Sequence, residues 1–216
     1  MSQPLGRLRG GADDAATRVL LLRHGESTWN ADHRVQGQLD PPLSPLGREQ
    51  STKLAARLAR EPIAALYASD LTRAAETARP LAAALGCEIR FCQDLREIAL
   101  GEWEGRTSAE LAREYPELWR RWQQEPDWDL APGGEAAEAF GARTGRAFEA
   151  VTGAHPGQLI ACVTHGGVIQ ALLRRVLGQS LHGWFHFRIG NASLTRLDYR
   201  AGRVTVAGVN DVCHLR

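Results

Sequence analysis

Two short apolar runs decide most of what this chain can become. Val19-Leu20-Leu21-Leu22 ends in Arg23-His24-Gly25-Glu26, and Leu159-Ile160-Ala161-Cys162-Val163-Thr164 ends in His165-Gly166-Gly167. Each is too short for a buried helix and rich in residues that fill sheets covered on both faces, so both read as interior strands of a parallel sheet. The polar residues then fall at strand carboxyl ends, the edge on which open α/β sheets collect their ligands. Arg23 offers a planar fork suited to phosphate oxygens, and Gly25 removes the side chain that would keep a ligand from the backbone. From the first run alone, a strand followed by an ordinary turn, with His24 merely packed, is an equal reading.

Between these strands the pattern alternates helix and strand. A long aperiodic loop holds Trp29-Asn30 and Arg34-Val35-Gln36-Gly37-Gln38-Leu39-Asp40, and loops of that length inside compact domains are usually functional. Ser44 then caps a helix with Pro45 at its first position, its inner face marked by Leu46, Gln50, Leu54 and Leu58 until Pro62 stops it. Ala65-Leu66-Tyr67-Ala68-Ser69 is a third short strand, and Asp70 stands where an N-cap would be. The next helix presents Leu71, Ala74, Ala75, Ala78, Leu81, Ala82 and Leu85 on one face and closes at Gly86. Arg73 therefore lies in the first turn of a helix leaving a strand end. A cation there opposes the helix dipole, which an anion would explain, though a solvated surface arginine is the alternative.

Glu88-Ile89-Arg90-Phe91 alternates like an edge strand. Beyond the turn Gly101-Glu102-Trp103-Glu104-Gly105, Thr107 and Glu110 make a capping box, and Pro116 divides one helical stripe into two helices. Trp103, Trp119, Trp122 and Trp128 crowd this region, which reads as a helical lid insertion over about residues 99–135. Each ring taken singly is better explained as filling the lid's own core. Gly133-Gly134-Glu135 opens a helix with Phe140, Ala147, Phe148 and Val151 inside; a further helix follows His165 and ends at Gly178, and a hairpin around Gly202 closes the chain.

The charges nearly cancel, 26 Lys and Arg against 25 Asp and Glu in 216 residues, so no bulk field favours nucleic acid or a membrane surface. Any anion affinity is local. The four cysteines form no C-x-x-C pair, and three sit in segments that read as buried; free thiols suit a reducing cytoplasm. Residues 1–17 read as a polar, mobile tail without a signal-peptide core, and no later run has the length of a membrane span. The expected location is cytoplasmic.

Three strand ends on one sheet edge can bring Arg23, His24, Arg73 and His165 together, with the free N–H groups of the helix after His165. Such a group fits a phosphoryl anion. A metal site is the competing reading, but two arginines would repel a divalent cation and no H-x-x-H or H-E-x-x-H spacing occurs. Neither a metal nor another cofactor is expected.

Four ordered segments now carry a resemblance. Leu22-Arg23-His24-Gly25-Glu26, Ser69-Asp70-Leu71-Thr72-Arg73-Ala74, Leu95-Arg96-Glu97-Ile98 with Gly101 and Glu104-Gly105, and Val163-Thr164-His165-Gly166-Gly167 resemble the motifs of the histidine phosphatase superfamily. The likeness runs from about Val19 to the final Asn210-Asp211-Val212-Cys213-His214-Leu215. It implies the phosphoglycerate mutase-like fold, a three-layer α/β architecture with a mostly parallel sheet between helices, here one domain over residues 18–216. It also implies that His24 is the nucleophile, that Arg23, Arg73 and His165 bind the phosphoryl group, and that Glu97 is the proton donor. Asn30 and Gln36 would be further phosphate contacts, with Gly37 and Gly166 at substrate-binding positions.

The cofactor-dependent mutases share these motifs. They resemble E-R-H-Y-G after the acid and H-G-N after the second histidine, where this chain has Glu97-Ile98-Ala99-Leu100-Gly101 and His165-Gly166-Gly167, so it looks like the phosphatase branch. A module that only binds phosphorylated ligands is disfavoured because both histidines and Glu97 are present. Ala136 stands where family members often have serine after Gly-Gly-Glu, which weakens a helix start. The loop at Arg34–Asp40 and Asn191-Ala192-Ser193 resemble both glucosyl-3-phosphoglycerate phosphatases and metal-independent phosphoserine phosphatases. A carboxylate on such substrates could use Arg106, Arg113 or Arg120, each of which also reads as a solvated lid residue. The expected partner is a small phosphorylated metabolite, with a homodimer as one assembly the sequence allows.

Overall fold

In the computed structural model, which describes residues 15–216, six strands form one sheet. They are β1 Thr17–Arg23, β2 Ile63–Ala68, β3 Ile89–Phe91, β4 Leu159–Thr164, β5 Leu194–Arg200 and β6 Arg203–Asp211. Their order is β3-β2-β4-β1-β5-β6. The first four run parallel; β5 is antiparallel to β1, and β6 to β5. The sheet is therefore mostly parallel, as expected, but β1 has one antiparallel neighbour. Thr17, assigned from sequence to the tail, already pairs with Tyr199; the rest of that tail up to residue 14 lies outside the described residues.

Alternation along β1 sorts its side chains into two cores. Leu20 and Leu22 face α2 (Pro45–Leu58) and α3 (Thr72–Leu85), packing with Leu54, Leu58, Ala74, Ala78 and Leu81. Val19 and Leu21 face α6 (Ala137–Ala154) and α7 (Gly166–Val176), packing with Phe140, Phe148, Ile169 and Leu173. Helices on both faces make the three layers and explain why β4 is buried at every residue.

Ser44 caps α2 through Gly47 N (3.0 Å) with Pro45 at N1, and Gly86 ends α3 at φ +64°. Two sequence expectations fail nearby. Leu46 is exposed; the buried stripe of α2 runs through Gly47, Ser51, Leu54, Ala55 and Leu58, because Gly47 and Ser51 pack against the turn after β1. Asp70 does not cap α3. Its carboxylate pairs in two-pronged fashion with Arg96, and Asp40 from the long loop instead accepts from Thr72 N (2.6 Å) and Thr72 Oγ1 (2.7 Å). Of the cysteines only Cys162 is buried; Cys87 and Cys92 are half-buried and Cys213 is exposed, all four unbridged. The surface hairpin and edge strand are too thin to cover their apolar residues.

Within the stretch read from sequence as the lid, α4 (Ser108–Glu114) and α5 (Pro116–Gln124) are separated at Tyr115 as Pro116 requires. Trp103, Leu111, Leu130 and Ala131 give it a small core, and Trp103 meets Trp119 and Trp122 edge to face at 5.9 and 5.5 Å. Ala136 heads α6 without a side-chain cap; Asp129 supplies one by accepting from Ala137 N at 2.7 Å. Among the described residues no helix is long and apolar enough to cross a membrane.

Candidate active site

The sheet order places the carboxyl ends of β2, β4 and β1 side by side. Arg23 is in register with Thr164, His24 N donates to Thr164 O (2.9 Å), and Ser69 N donates to Val163 O (2.9 Å). His24 and His165 consequently face each other, ring centroids 5.2 Å apart. Arg73 comes in from the start of α3, and Glu97 from the loop after the 3-10 turn at Gln93–Leu95. Arg23, His24, Arg73 and Glu97 line one cavity of about 400 Å³, whose wall includes Gln36, Gly37, Gly166 and Gly167; His165 is fully buried behind His24 and does not line it.

A hydrogen bond fixes the tautomer of His24. His24 Nδ1 lies 2.7 Å from Gly25 O, an acceptor only, so Nδ1 carries the proton and Nε2 keeps its lone pair. Gly25 is itself held by Thr77 Oγ1, which accepts from Gly25 N at 3.0 Å. Ser69 Oγ accepts from Leu71 N (3.3 Å) and lies 2.8 Å from His165 Nε2, a contact in which either atom can donate, according to the tautomer of His165. Burial, and after it the charges of Arg73 and Arg23, hold both imidazoles well below the ordinary histidine range. Burial also lowers Arg23, and brings Arg73 down to about 10 against the opposing pull of Glu97 and Asp40. Both guanidinium groups still carry charge at neutral pH.

Backbone carbonyls aim the two arginines. Arg73 donates to Leu39 O (2.8 Å) and Gly37 O (2.7 Å), and Arg23 to Ile189 O. Nε of Arg23, Nε of Arg73 and Nδ1 of His165 are buried with no partner in the protein. A buried donor without a partner costs on the order of 1–3 kcal/mol, so two arginine N–H groups beside a buried, unpartnered histidine nitrogen describe a nest suited to an anion.

Glu97 accepts from Ile98 N and Gly167 N, each at 3.0 Å. Its main-chain oxygen is clamped by Arg143 (2.8 Å), which also bonds Asp94 O and Arg96 O and pairs with Glu135 at 2.7 Å. A Cβ on Gly167 would fall 2.2 Å from the Glu97 carboxylate, which is why the second residue after His165 is glycine. Gly25 has a different reason from the one its sequence context suggests: its Cβ would meet Gly47 O at 2.5 Å, so it serves helix packing, not ligand approach. Gly37 (φ +52°) leaves room for Glu104, whose carboxylate accepts from the main chain at Gln38, Leu39 and Leu100 and ties loop to lid.

Of the other expected contacts, Gln36 lines the cavity with Oε1 tied to Ser27 Oγ (2.8 Å). Asn30 is set back from the wall. Its Oδ1 accepts from Ser27 N and Asn191 Nδ2, closing the capping box of the short helix α1, Thr28–Ala31. Arg106, Arg113 and Arg120 lie outside the cavity on the exposed face of the lid, paired with Glu114 and Glu117. Sequence reasoning assigned no site role to Ser69, Thr77, Arg143 or Glu135; Ser69 opened a quoted motif and Glu135 closed the Gly-Gly-Glu run, whereas Thr77 and Arg143 gave no local signal. Among the described residues, the one group of side chains spaced to hold a metal ion is Asp127, Asp129 and His182, on the outside of the lid.

The sequence profile of the histidine phosphatase superfamily (branch 1) matches residues 19–212. A metal-independent phosphoserine phosphatase of Arabidopsis thaliana is 34% identical over 207 residues, 94% of this chain and 85% of that protein. Phosphoglycerate mutase-like protein 4 of Arabidopsis thaliana is 39% identical over 160 residues, 73% of this chain and 70% of that protein. The solved structure of a mycobacterial glucosyl-3-phosphoglycerate phosphatase with VO3 has a TM-score of 0.82 to this fold at 32% identity, covering 90% of this chain and 99% of that one. A profile spanning nearly the whole chain, over a fold that converges two histidines and two arginines on one sheet edge, means that the chain belongs to the histidine phosphatase superfamily, branch 1.

Proposed function

We propose that the cavity is the active site of a metal-independent phosphomonoesterase, which passes the phosphoryl group of a small organic ester through His24 to water. The observation that carries this reading is the trio of buried nitrogens without a partner, Arg23 Nε, Arg73 Nε and His165 Nδ1, around a histidine whose Nδ1 proton is held by Gly25 O. In-line attack by His24 Nε2 on phosphorus forms the P–N bond as the P–O ester bond breaks. The two arginines and His165 stabilise charge on the equatorial oxygens. An alkoxide leaves poorly, so Glu97 gives it a proton; the carboxylate then takes a proton from water, whose oxygen attacks the phosphohistidine and releases phosphate. Two cations at the phosphoryl position supply the charge that a divalent ion would otherwise bring.

Glu97→Gln should lower turnover of alkyl phosphates about a hundredfold or more, and of p-nitrophenyl phosphate far less, because that leaving group needs little protonation. Equal losses on both would remove Glu97 from the acid role. His24→Ala should abolish acid-labile, base-stable labelling by substrate phosphate; label persisting in that variant places the nucleophile elsewhere. The relatives' names include both phosphatases and a mutase-like protein. Phosphate release without bisphosphoglycerate supports the hydrolase, and bisphosphoglycerate-dependent isomerisation with negligible release supports the mutase. Phosphoserine and glucosyl-3-phosphoglycerate, named for relatives, head the substrate panel. Unbridged cysteines suit action in the cytoplasm, and a homodimer is the assembly to test by sedimentation.

A further inference from the structure

The phosphoryl nest takes up only part of the cavity wall. Apart from Gln36, Glu97, Gln170 and glycines, the rest is apolar, with Val35, Leu100, Trp122, Trp128, Phe185 and Phe187 its larger side chains. Trp128 and Phe185 stand with centroids 5.4 Å apart and Trp122 and Phe185 at 6.2 Å, so three rings form a continuous surface. Among the described residues, the cations on the wall are Arg23 and Arg73, and both serve the phosphoryl position. The lid arginines that could have met a second anion are paired on the outer face.

This wall is held in place by the body of the protein. Buried Arg174 on α7 donates to four carbonyls of the connection to β5, those of Ser180, His182, Gly183 and Trp184, with its guanidinium 5.2 Å from the Phe185 ring. One turn earlier Gln170 donates to Phe187 O, and Arg23 donates to Ile189 O. The aromatic surface is thus an anchored part of the site. A carboxylate placed against it would lose its hydration without gaining a partner, whereas a ring or alkyl chain would exchange water for apolar contact.

We propose that the leaving-group half of the cavity selects phosphate monoesters of apolar alcohols and phenols, and disfavours esters whose organic part carries a carboxylate, phosphoserine among them. This deepens the phosphomonoesterase reading and rests on it for the position of the phosphoryl group. The test is an equilibrium one, isothermal titration calorimetry with three non-hydrolysable probes: phenylphosphonate, butylphosphonate and 3-phosphonopropionate. Phenylphosphonate and butylphosphonate should each bind at least tenfold more tightly than 3-phosphonopropionate. Phe187→Ala and the milder Trp122→Leu should each reduce that ratio to below threefold. Equal or tighter binding of 3-phosphonopropionate by the unaltered protein overturns the proposal, whether or not the variants fold. Because no turnover is needed, the two readings fail separately: apolar preference without phosphate release from any ester sinks the hydrolase alone, and phosphate release with carboxylate preference sinks the apolar class alone.

Discussion

His24 and His165 are buried without charge between two guanidinium groups, and that has a pH consequence. In the unfolded chain both titrate near pH 6.5, about the ordinary value, whereas in the fold they do so well below it. Between those limits the unfolded state binds more protons, so stability is full above about pH 7 and falls as pH drops through about 6.5. The slope is at most about 1.4 kcal/mol per pH unit for each histidine. Denaturant titrations from pH 7.5 to 5.5 should show this decline, and a His24→Asn/His165→Asn double variant should decline less steeply. The chemical identity of these residues was legible in the sequence because strand ends and glycines mark them. Asn30 was less legible: its position in a motif does not reveal that its Oδ1 turns to Ser27 and Asn191.

Helices α2 and α3, the capping box at Thr107 and the split at Pro116 could be read from local chemistry, since a cap needs only neighbours in sequence. The cap of α3 could not, because Asp40 reaches it from a loop 32 residues away. Glycines show the same divide. Gly47 Cβ would lie 1.9 Å from Glu26 O, where α2 crosses the turn after β1 main chain to main chain, while Gly153 in α6 has nothing within 4 Å. Gly47→Ala should therefore cost about 1–3 kcal/mol or more, as overpacking does. Gly153→Ala should stabilise by about 0.4–1 kcal/mol. Thermal melts separate the two, at roughly 2–4 °C per kcal/mol for a chain of this size; a Gly47 variant that melts with the unaltered protein would show that α2 can slide away at no cost.

At the scale of the molecule, β1, β2 and β4 supply the site because their order in the sheet makes their ends adjacent, an order that the right-handed crossovers allow but no local pattern dictates. The final residues brace it from behind: Asn210 Oδ1 accepts from Gly190 N (2.7 Å), His214 Nε2 lies 3.0 Å from Ala192 O, and Ala192 N donates to His24 O (3.0 Å). An anion that satisfies the whole nest should lock these parts together. Orthovanadate at a hundred times its Kd should add about 2.7 kcal/mol and raise Tm by roughly 5–10 °C. Arg73→Met should show almost no such gain over its own unliganded melt; a gain of equal size would mean that the anion sits elsewhere. The anchored aromatic wall has one more consequence. The groups proposed for the chemistry come from strand ends and their loops, whereas most of the wall comes from the lid and the connection after α7, the latter held by Arg174 and Gln170 of α7 and, at Ile189, by Arg23. Those two segments can drift, lengthen or be exchanged by descent without disturbing bond-making, so a lineage built on this plan can acquire new substrates while inheriting its catalyst intact.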